Sequence, residues 1–106
     1  MQARLIVPTY DNNLIRFPLT AINGIRQQLI ELCGGYTEIE GCGGYRSPSS
    51  CIFKEPVIIF DLDYTSDNIS IALRGLARTI CEQLGQEAVY LRIGSEIRFV
   101  TKSHVT

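Results

Sequence analysis

The sequence predicts an α+β domain of the ferredoxin-like, split β-α-β type: an antiparallel sheet with two helices on one face and a C-terminal hairpin strand. Three observations support this prediction. The order strand, helix, strand occurs twice along the 106 residues, and each helix pattern has a single apolar stripe. The pair Gly94-Ser95 separates two alternating segments, 88–93 and 96–101, which indicates a tight hairpin. Right-handed crossovers would place both helices on the same face of the sheet.

The first half of the chain contains a strand, a helix and a second strand. The segment RLIVPT predicts a strand that Pro8 restricts to an edge or an end. Apolar residues then recur every three or four positions, which predicts a helix that Thr20 can cap and Gly34 can end. From Tyr36 the apolar period changes to two, and the second Cys-Gly-Gly-Tyr is where this strand is expected to end or bulge.

The second half repeats this order. Residues 51–63, CIFKEPVIIFDLD, predict a strand that is interrupted near Pro56 and whose apolar run indicates burial on both faces. Ser66 or Asp67 caps a second helix, whose apolar stripe ends at Gly85.

Composition indicates one domain, residues 1–102, followed by a flexible tail, 103–106. Hydrophobic residues make up 45% of the chain and charged residues 20%, which is typical of a globular protein. The net charge is -1 and the basic residues are scattered, so nucleic acid is not an expected partner. The longest apolar runs are too short to span a membrane. We therefore expect a cytoplasmic protein with reduced cysteines.

The uncovered face of the predicted sheet is a candidate interface. Ile58, Phe60, Tyr90 and Phe99 are more large apolar side chains than a sheet covered on one face only would leave in water. The sequence therefore predicts a homo-oligomer, a dimer or higher.

The tetrapeptide Cys-Gly-Gly-Tyr occurs twice, at 33–36 and 42–45, in different predicted contexts, which indicates a coincidental repeat. The glycines nevertheless predict a flexible loop whose aromatic and guanidinium groups suit a planar or phosphorylated ligand, or a protein partner. The candidate binding residues are Gly35, Tyr36, Gly43, Gly44, Tyr45 and Arg46.

The segment VIIFDLDYT is similar to the first motif of the haloacid-dehalogenase phosphatases, in which the first aspartate attacks phosphorus and the second exchanges a proton. That resemblance would give these roles to Asp61 and Asp63, but the chain lacks the further motifs and the parallel sheet of that family. A metal-dependent phosphodiesterase or nuclease that uses both aspartates stays open as an alternative. It would require the acidic residues of two neighbouring strands to converge on Mg²⁺, namely Glu38, Glu40, Glu55, Asp61 and Asp63. No metal and no cofactor are expected in the leading interpretation, because the cysteines lack the close pairs of a zinc site.

The stretch GGYTEIEGCGGYRSPSSCIFKEPVIIF, followed by LGQEAVYLRI, resembles a family of small uncharacterised α/β proteins of bacteria, archaea and mobile elements. Gly35, Tyr36, Gly44 and Glu55 match the pattern, while Tyr45 stands where the family usually has Trp. The resemblance implies no activity. The leading hypothesis is therefore a non-enzymatic, homo-oligomeric binding module for a small ligand, nucleotide-like ligands included, or for a protein partner. A mobile-element accessory acting on host defence would fit this resemblance.

Overall fold

The protein forms one five-stranded sheet with two helices in a computed structural model that describes residues 1–46 and 52–101. The predicted tail and Cys51 lie outside the described residues. The elements are, in chain order, β1 (Gln2–Pro8), α1 (Leu19–Cys33), β2 (Thr37–Arg46), β3 (Ile52–Asp63), α2 (Asp67–Gln83), β4 (Ala88–Ile93) and β5 (Glu96–Thr101).

The strand order is β2-β3-β1-β4-β5, and every neighbouring pair is antiparallel. This is the predicted split β-α-β plan, with β5 added at the edge beside β4. Pro8 ends β1, as predicted, yet β1 is the central strand and not an edge strand. A proline fits there because the pairing of β1 with β3 stops at the register pair Pro8 and Val57, so little of the ladder loses a donor.

Both helices cover the same face of the sheet, and one hydrophobic core lies between them and the strands. Leu5, Phe60 and Leu91 are almost completely buried on the three central strands. Burying a side chain of this size stabilises the fold by about 1.5–3 kcal/mol relative to leaving it in water. The two helices contribute the apolar stripes that the sequence predicts, namely Ile22, Ile25 and Leu29 from α1, and Leu73, Leu76, Ala77, Ile80 and Cys81 from α2.

Three predicted boundaries are wrong. Helix α1 begins at Leu19 with Pro18 in the N-cap position, so Thr20 lies inside the helix and does not cap it. Strand β2 continues through the second Cys-Gly-Gly-Tyr, because the whole segment pairs with β3 in an antiparallel ladder. Strand β3 is likewise uninterrupted at Pro56, which keeps its register with Cys42 on β2 after the pairing with β1 has ended.

The sheet face opposite the helices is uncovered, as the plan predicts, but it holds only part of the expected side chains. Ile58 and Phe60 point toward the helices and belong to the core, whereas Tyr90 and Phe99 lie on the uncovered face. The difference follows from the two-residue period, since neighbouring strand positions point to opposite faces. No helix in the described residues is long and apolar enough to span a membrane.

Candidate functional site

The first Cys-Gly-Gly-Tyr and the two aspartates of β3 meet at one end of the sheet. Gly34 ends α1 in the left-handed conformation, with φ of 82°, and turns the chain toward the start of β2. Gly35, Tyr36, Asp61 and Asp63 consequently line one groove of about 310 Å³. The structure thus brings together predicted binding residues and predicted catalytic residues that are about 25 positions apart in the sequence.

Asp61 is bound by a guanidinium group from the neighbouring strand. Arg4 lies opposite Asp61 in the register of β1 and β3, and its Nε and Nη2 donate to the two carboxylate oxygens at 2.7 and 3.0 Å. These hydrogen bonds hold the pKa of Asp61 below its usual value, and the charges of Arg4 and Arg92 lower it further. Asp61 is therefore an anion occupied by Arg4, which does not favour its use as a nucleophile.

The acidic residues proposed as metal ligands do not converge. Glu38 and Glu40 point to the helix side of β2, while Asp61 and Asp63 point to the opposite face from β3. Within residues 1–46 and 52–101, no group of three His, Cys, Asp or Glu side chains could hold a metal ion. The phosphatase motif also lacks its parallel sheet, because every strand pair is antiparallel. No observation in the described residues favours the phosphodiesterase alternative.

The second Cys-Gly-Gly-Tyr lies about 20 Å from the first along β2, at the far end of the β2-β3 ladder. Gly43 and Gly44 are strand residues opposite Glu55 and Lys54, so they do not form the flexible loop that the sequence predicts. Tyr45 and Arg46 are the last residues of β2, and their side chains lie outside the described part of the chain. The predicted binding residues are thus divided between two ends of the sheet.

A short ordered loop after β1 separates two clefts, one on the helix side of the sheet and one on the other side of Tyr10 and Pro56. The amide of Phe17 donates to the carbonyl of Thr9 at 2.9 Å, and Tyr10 pairs with Arg16 in an isolated bridge. At the tip, the Asp11 carboxylate accepts hydrogen bonds from two backbone amides further along the turn. These contacts replace the ladder that a strand would have, and they fix the position of Tyr10 beside Pro56.

The helix-side cleft is the larger of the two and lies between this loop, the first turns of α1 and the strands β2 and β3. Its volume is about 670 Å³, within the usual range of small-molecule sites. Its lining combines aromatic, aliphatic and charged side chains, and comprises Thr9, Tyr10, Arg16, Phe17, Leu19, Ile22, Arg26, Glu40, Gly41, Pro56, Val57 and Ile58.

Among the charged side chains of the helix-side cleft, Arg26 is held in an ion pair, whereas Arg16 and Glu40 are not paired within the described part of the chain. The Nε and Nη2 atoms of Arg26 donate to the two carboxylate oxygens of Glu38, both at 2.9 Å, and this pair raises the pKa of Arg26. Arg16 and Glu40 make no ion pair with the described residues. The cleft therefore offers one cation and one anion, beside the rings of Tyr10 and Phe17, to a ligand with charges of both signs.

A second cleft of about 630 Å³ lies on the other side of Tyr10 and Pro56, where Asp11, Lys54 and Glu55 contribute its charges. Neither cleft was predicted from the sequence. The available signal was the turn composition Asp-Asn-Asn after a short strand, which predicts a loop but gives no partner for Tyr10. Only the folded chain brings that loop against β2 and β3.

Comparison with known proteins shows the fold and no closer relationship. No family model matches the chain, and no curated protein matches it. A solved phage SAM lyase in complex with S-methyl-5'-thioadenosine has a TM-score of 0.73 and 13% identity, over 94% of this chain and 88% of that one. A phage SAM lyase in the apo state has a TM-score of 0.71 and 12% identity, over 99% and 91%. At such identities the likeness shows a shared fold, in agreement with the α+β class that the sequence predicts.

Proposed function

We propose that this chain is a homo-oligomeric protein that binds a small nucleoside-like ligand in the helix-side cleft. The ligand class is that of S-adenosylmethionine and S-methyl-5'-thioadenosine. One observation carries the proposal: the fold matches, over nearly the whole of both chains, a phage SAM lyase solved with S-methyl-5'-thioadenosine. Binding without catalysis is the leading form of the proposal, because the described residues contain no complete catalytic set.

The chemistry of the helix-side cleft supports this ligand class. An adenine ring can pack against the aromatic side chains of Tyr10 and Phe17, and the aliphatic lining excludes water from its faces. A carboxylate suits the unpaired guanidinium of Arg16, and a sulfonium or ammonium group suits the carboxylate of Glu40. The strand-end groove is about half the volume, and its aspartate is already occupied by Arg4.

Isothermal titration calorimetry with two ligands tests the proposal. S-methyl-5'-thioadenosine is neutral, whereas S-adenosylmethionine carries the additional sulfonium, ammonium and carboxylate groups. Tyr10→Ala should weaken both ligands by about 5- to 150-fold, the equivalent of losing a base-aromatic contact of roughly 1–3 kcal/mol. Glu40→Gln should weaken S-adenosylmethionine and leave S-methyl-5'-thioadenosine unchanged. Glu82→Gln, an equally conservative change on the exposed side of α2, is the matched control.

Absence of binding by either ligand to the folded wild-type protein would overturn the ligand class. Binding that is insensitive to Tyr10→Ala and to Glu40→Gln would keep the ligand class and remove it from this cleft.

Cleavage of S-adenosylmethionine is the second candidate function, favoured by the activity that the names of both structural neighbours print. Attack of the substrate's own carboxylate oxygen on the carbon bound to the sulfonium would break the carbon–sulfur bond. The bonding electron pair would leave on sulfur as S-methyl-5'-thioadenosine, and the amino-acid chain would close to a lactone. Mass spectrometry of S-adenosylmethionine incubated with the protein detects this product. Formation of the product by wild type and not by Glu40→Gln would convert the binding proposal into an enzymatic one.

The biological setting that we propose is a cytoplasmic accessory of a mobile element that acts on host defence through its ligand. Both structural neighbours are phage proteins, which supports a mobile-element origin. Lowered free S-adenosylmethionine in bacteria expressing the wild-type chain, and not in those expressing Tyr10→Ala, is the expected cellular result.

A further inference from the structure

Both edge strands place charged residues on the helix side and large, exposed apolar residues on the uncovered face. The exception is Val100 of β5, which packs against the core on the helix side. On β2, Glu38 reaches Arg26 of α1, while Ile39 points to the opposite face and is 47% exposed. Gly41 confirms the direction, because a Cβ there would lie 3.2 Å from Ile59 on the uncovered face of β3. A sheet that has its own core only under the helices would show the reverse arrangement.

The other edge has the same inverted pattern. On β5, Glu96 and Arg98 alternate toward the helix side, while Ile97 and Phe99 lie on the uncovered face, 57% and 69% exposed. Phe99 packs edge-on against Tyr90 of the neighbouring strand, with ring centroids 5.7 Å apart. Two edge strands that both expose apolar residues on the same face indicate that this face is covered by another molecule.

The apolar residues of the uncovered face form one continuous row across the sheet. Neighbours in the strand registers follow one another from edge to edge, in the order Ile39, Ile59, Ile6, Tyr90 and Phe99. With strands roughly 4.8 Å apart, the row is about 19 Å long. We call these five residues the apolar row.

The polar row next to it has a carboxylate on one side of β1 and a guanidinium on the other side. Arg4 stands on the central strand, with Asp61 one strand away on β3 and Arg92 one strand away on β4. A two-fold axis that runs along β1 exchanges the positions over β3 and β4. Asp61 of each copy would then lie against Arg92 of the partner subunit, and the two apolar rows would lie on each other. On the axis the two copies of Arg4 would face each other, each paired with Asp61 of its own chain.

We propose that the apolar row is the surface through which a second copy of this chain packs, with β1 on the two-fold axis. This inference rests on the homo-oligomer of the proposed function and names its interface. Five strands, with about seven residues along each, give a flat face of about 24 by 23 Å. Protruding side chains increase the accessible surface above this flat area, so it approaches the roughly 800 Å² per partner of standard interfaces. The charges beside the row are two arginines and one aspartate, and Arg4 is paired with Asp61 of its own chain. This weakly charged surface favours a copy of the same face over a strongly charged partner.

Sedimentation equilibrium of the full chain over a wide concentration range tests the surface with matched variants. Ile97→Glu places a charge on the uncovered face, two positions along β5 from Phe99 of the apolar row. Ile71→Glu places the same charge on α2, where Ile71 is 64% exposed. We expect the wild-type chain to associate, Ile97→Glu to dissociate about 30-fold or more readily, as for an interface hot spot, and Ile71→Glu to behave as wild type. Circular dichroism confirms that each variant is folded, and Phe99→Ser replaces Ile97→Glu if the latter is not.

A charge exchange tests the two-fold arrangement itself. Arg92→Asp should weaken association. The double variant Arg92→Asp with Asp61→Arg should restore it, because the two charges are exchanged and Arg4 still has a carboxylate beside it, now at position 92 of β4. Failure of the exchange, or a wild-type mass of three subunits, would overturn the two-fold arrangement.

The outcomes separate this inference from the proposed function. An oligomer that Ile97→Glu and Phe99→Ser do not weaken would overturn the surface and keep self-association. A strictly monomeric wild type would overturn both the surface and self-association. Calorimetry of ligand binding reports on the helix-side cleft in either case.

Discussion

The contact between Tyr36 and Phe60 supports a prediction that distinguishes a structural from a ligand-binding role for Tyr36. The ring of Tyr36 meets the fully buried ring of Phe60 at a centroid distance of 5.3 Å and an interplanar angle of 84°. Such edge-to-face pairs contribute about 0.5–1.5 kcal/mol beyond the area they bury. Tyr36 also directly precedes β2, so its contact fixes the start of that strand on β3.

A double-mutant cycle of Tyr36→Leu and Phe60→Leu isolates this contact. We expect Phe60→Leu alone to reduce the free energy of unfolding by about 1–2 kcal/mol, because the smaller side chain leaves part of the ring volume empty. The two changes together should cost less than the sum of the single changes, by about 0.5–1.5 kcal/mol. In a chain of this size, 1 kcal/mol corresponds to a Tm shift of about 4 °C.

Urea denaturation of the four proteins at one protein concentration measures the cycle. A coupling energy within about 0.3 kcal/mol of zero would refute the reasoning, since independent sites add to within that margin. Titration of Tyr36→Leu with S-methyl-5'-thioadenosine completes the comparison. Lost ligand binding at unchanged stability would move the ligand site from the helix-side cleft to the groove beside Gly35.

Three further predictions concern the ion pair of Asp61 and the glycines at and within the helices. Because Arg4 lowers the pKa of Asp61, this ion pair stabilises the folded protein at pH values above the ordinary carboxyl pKa. This stabilisation is lost as the pH falls through the lowered pKa. Both side chains are about one-third exposed, so urea midpoints measured against pH should show only a small pH dependence, which should be absent in Asp61→Asn. Gly34→Ala should destabilise the protein by about 1 kcal/mol through its positive φ, whereas Gly35→Ala, with open space around its Cβ and no positive φ, should be neutral in thermal melts. Gly75→Ala, inside α2 and equally open, should stabilise by up to about 1 kcal/mol; a loss of stability there would contradict the open space around Gly75.

Local sequence signals predicted the features that depend on neighbouring residues. Gly34 and Gly85 follow the two helices with positive φ, as their positions after two apolar stripes indicate. The hairpin of β4 and β5 turns at Gly94, which also has a positive φ, and its bounds match the prediction. These features need only a few contiguous residues, so the sequence alone is sufficient to predict them.

The sequence did not determine which face of the sheet each set of alternating side chains occupies. Alternation in β2 separates Glu38 and Glu40 from Ile39, but either set could have faced the helices. The choice depends on the register of β2 with β3, which places Ile39 beside Ile59 on the uncovered face. The convergence of acidic residues that the metal-dependent alternative requires therefore fails, because they occupy opposite faces.

The candidate site shows the same division. The sequence by itself determined which segments become helices and strands, and it identified Gly35, Tyr36 and Asp61, which the fold places in one groove. Only the tertiary structure decided that Tyr10 stands beside Pro56, because the two are brought together by the pairing of β1 with β3. A cleft is formed by residues that are distant in the chain. No local pattern of apolar or polar residues indicates which distant segments become neighbours in the fold.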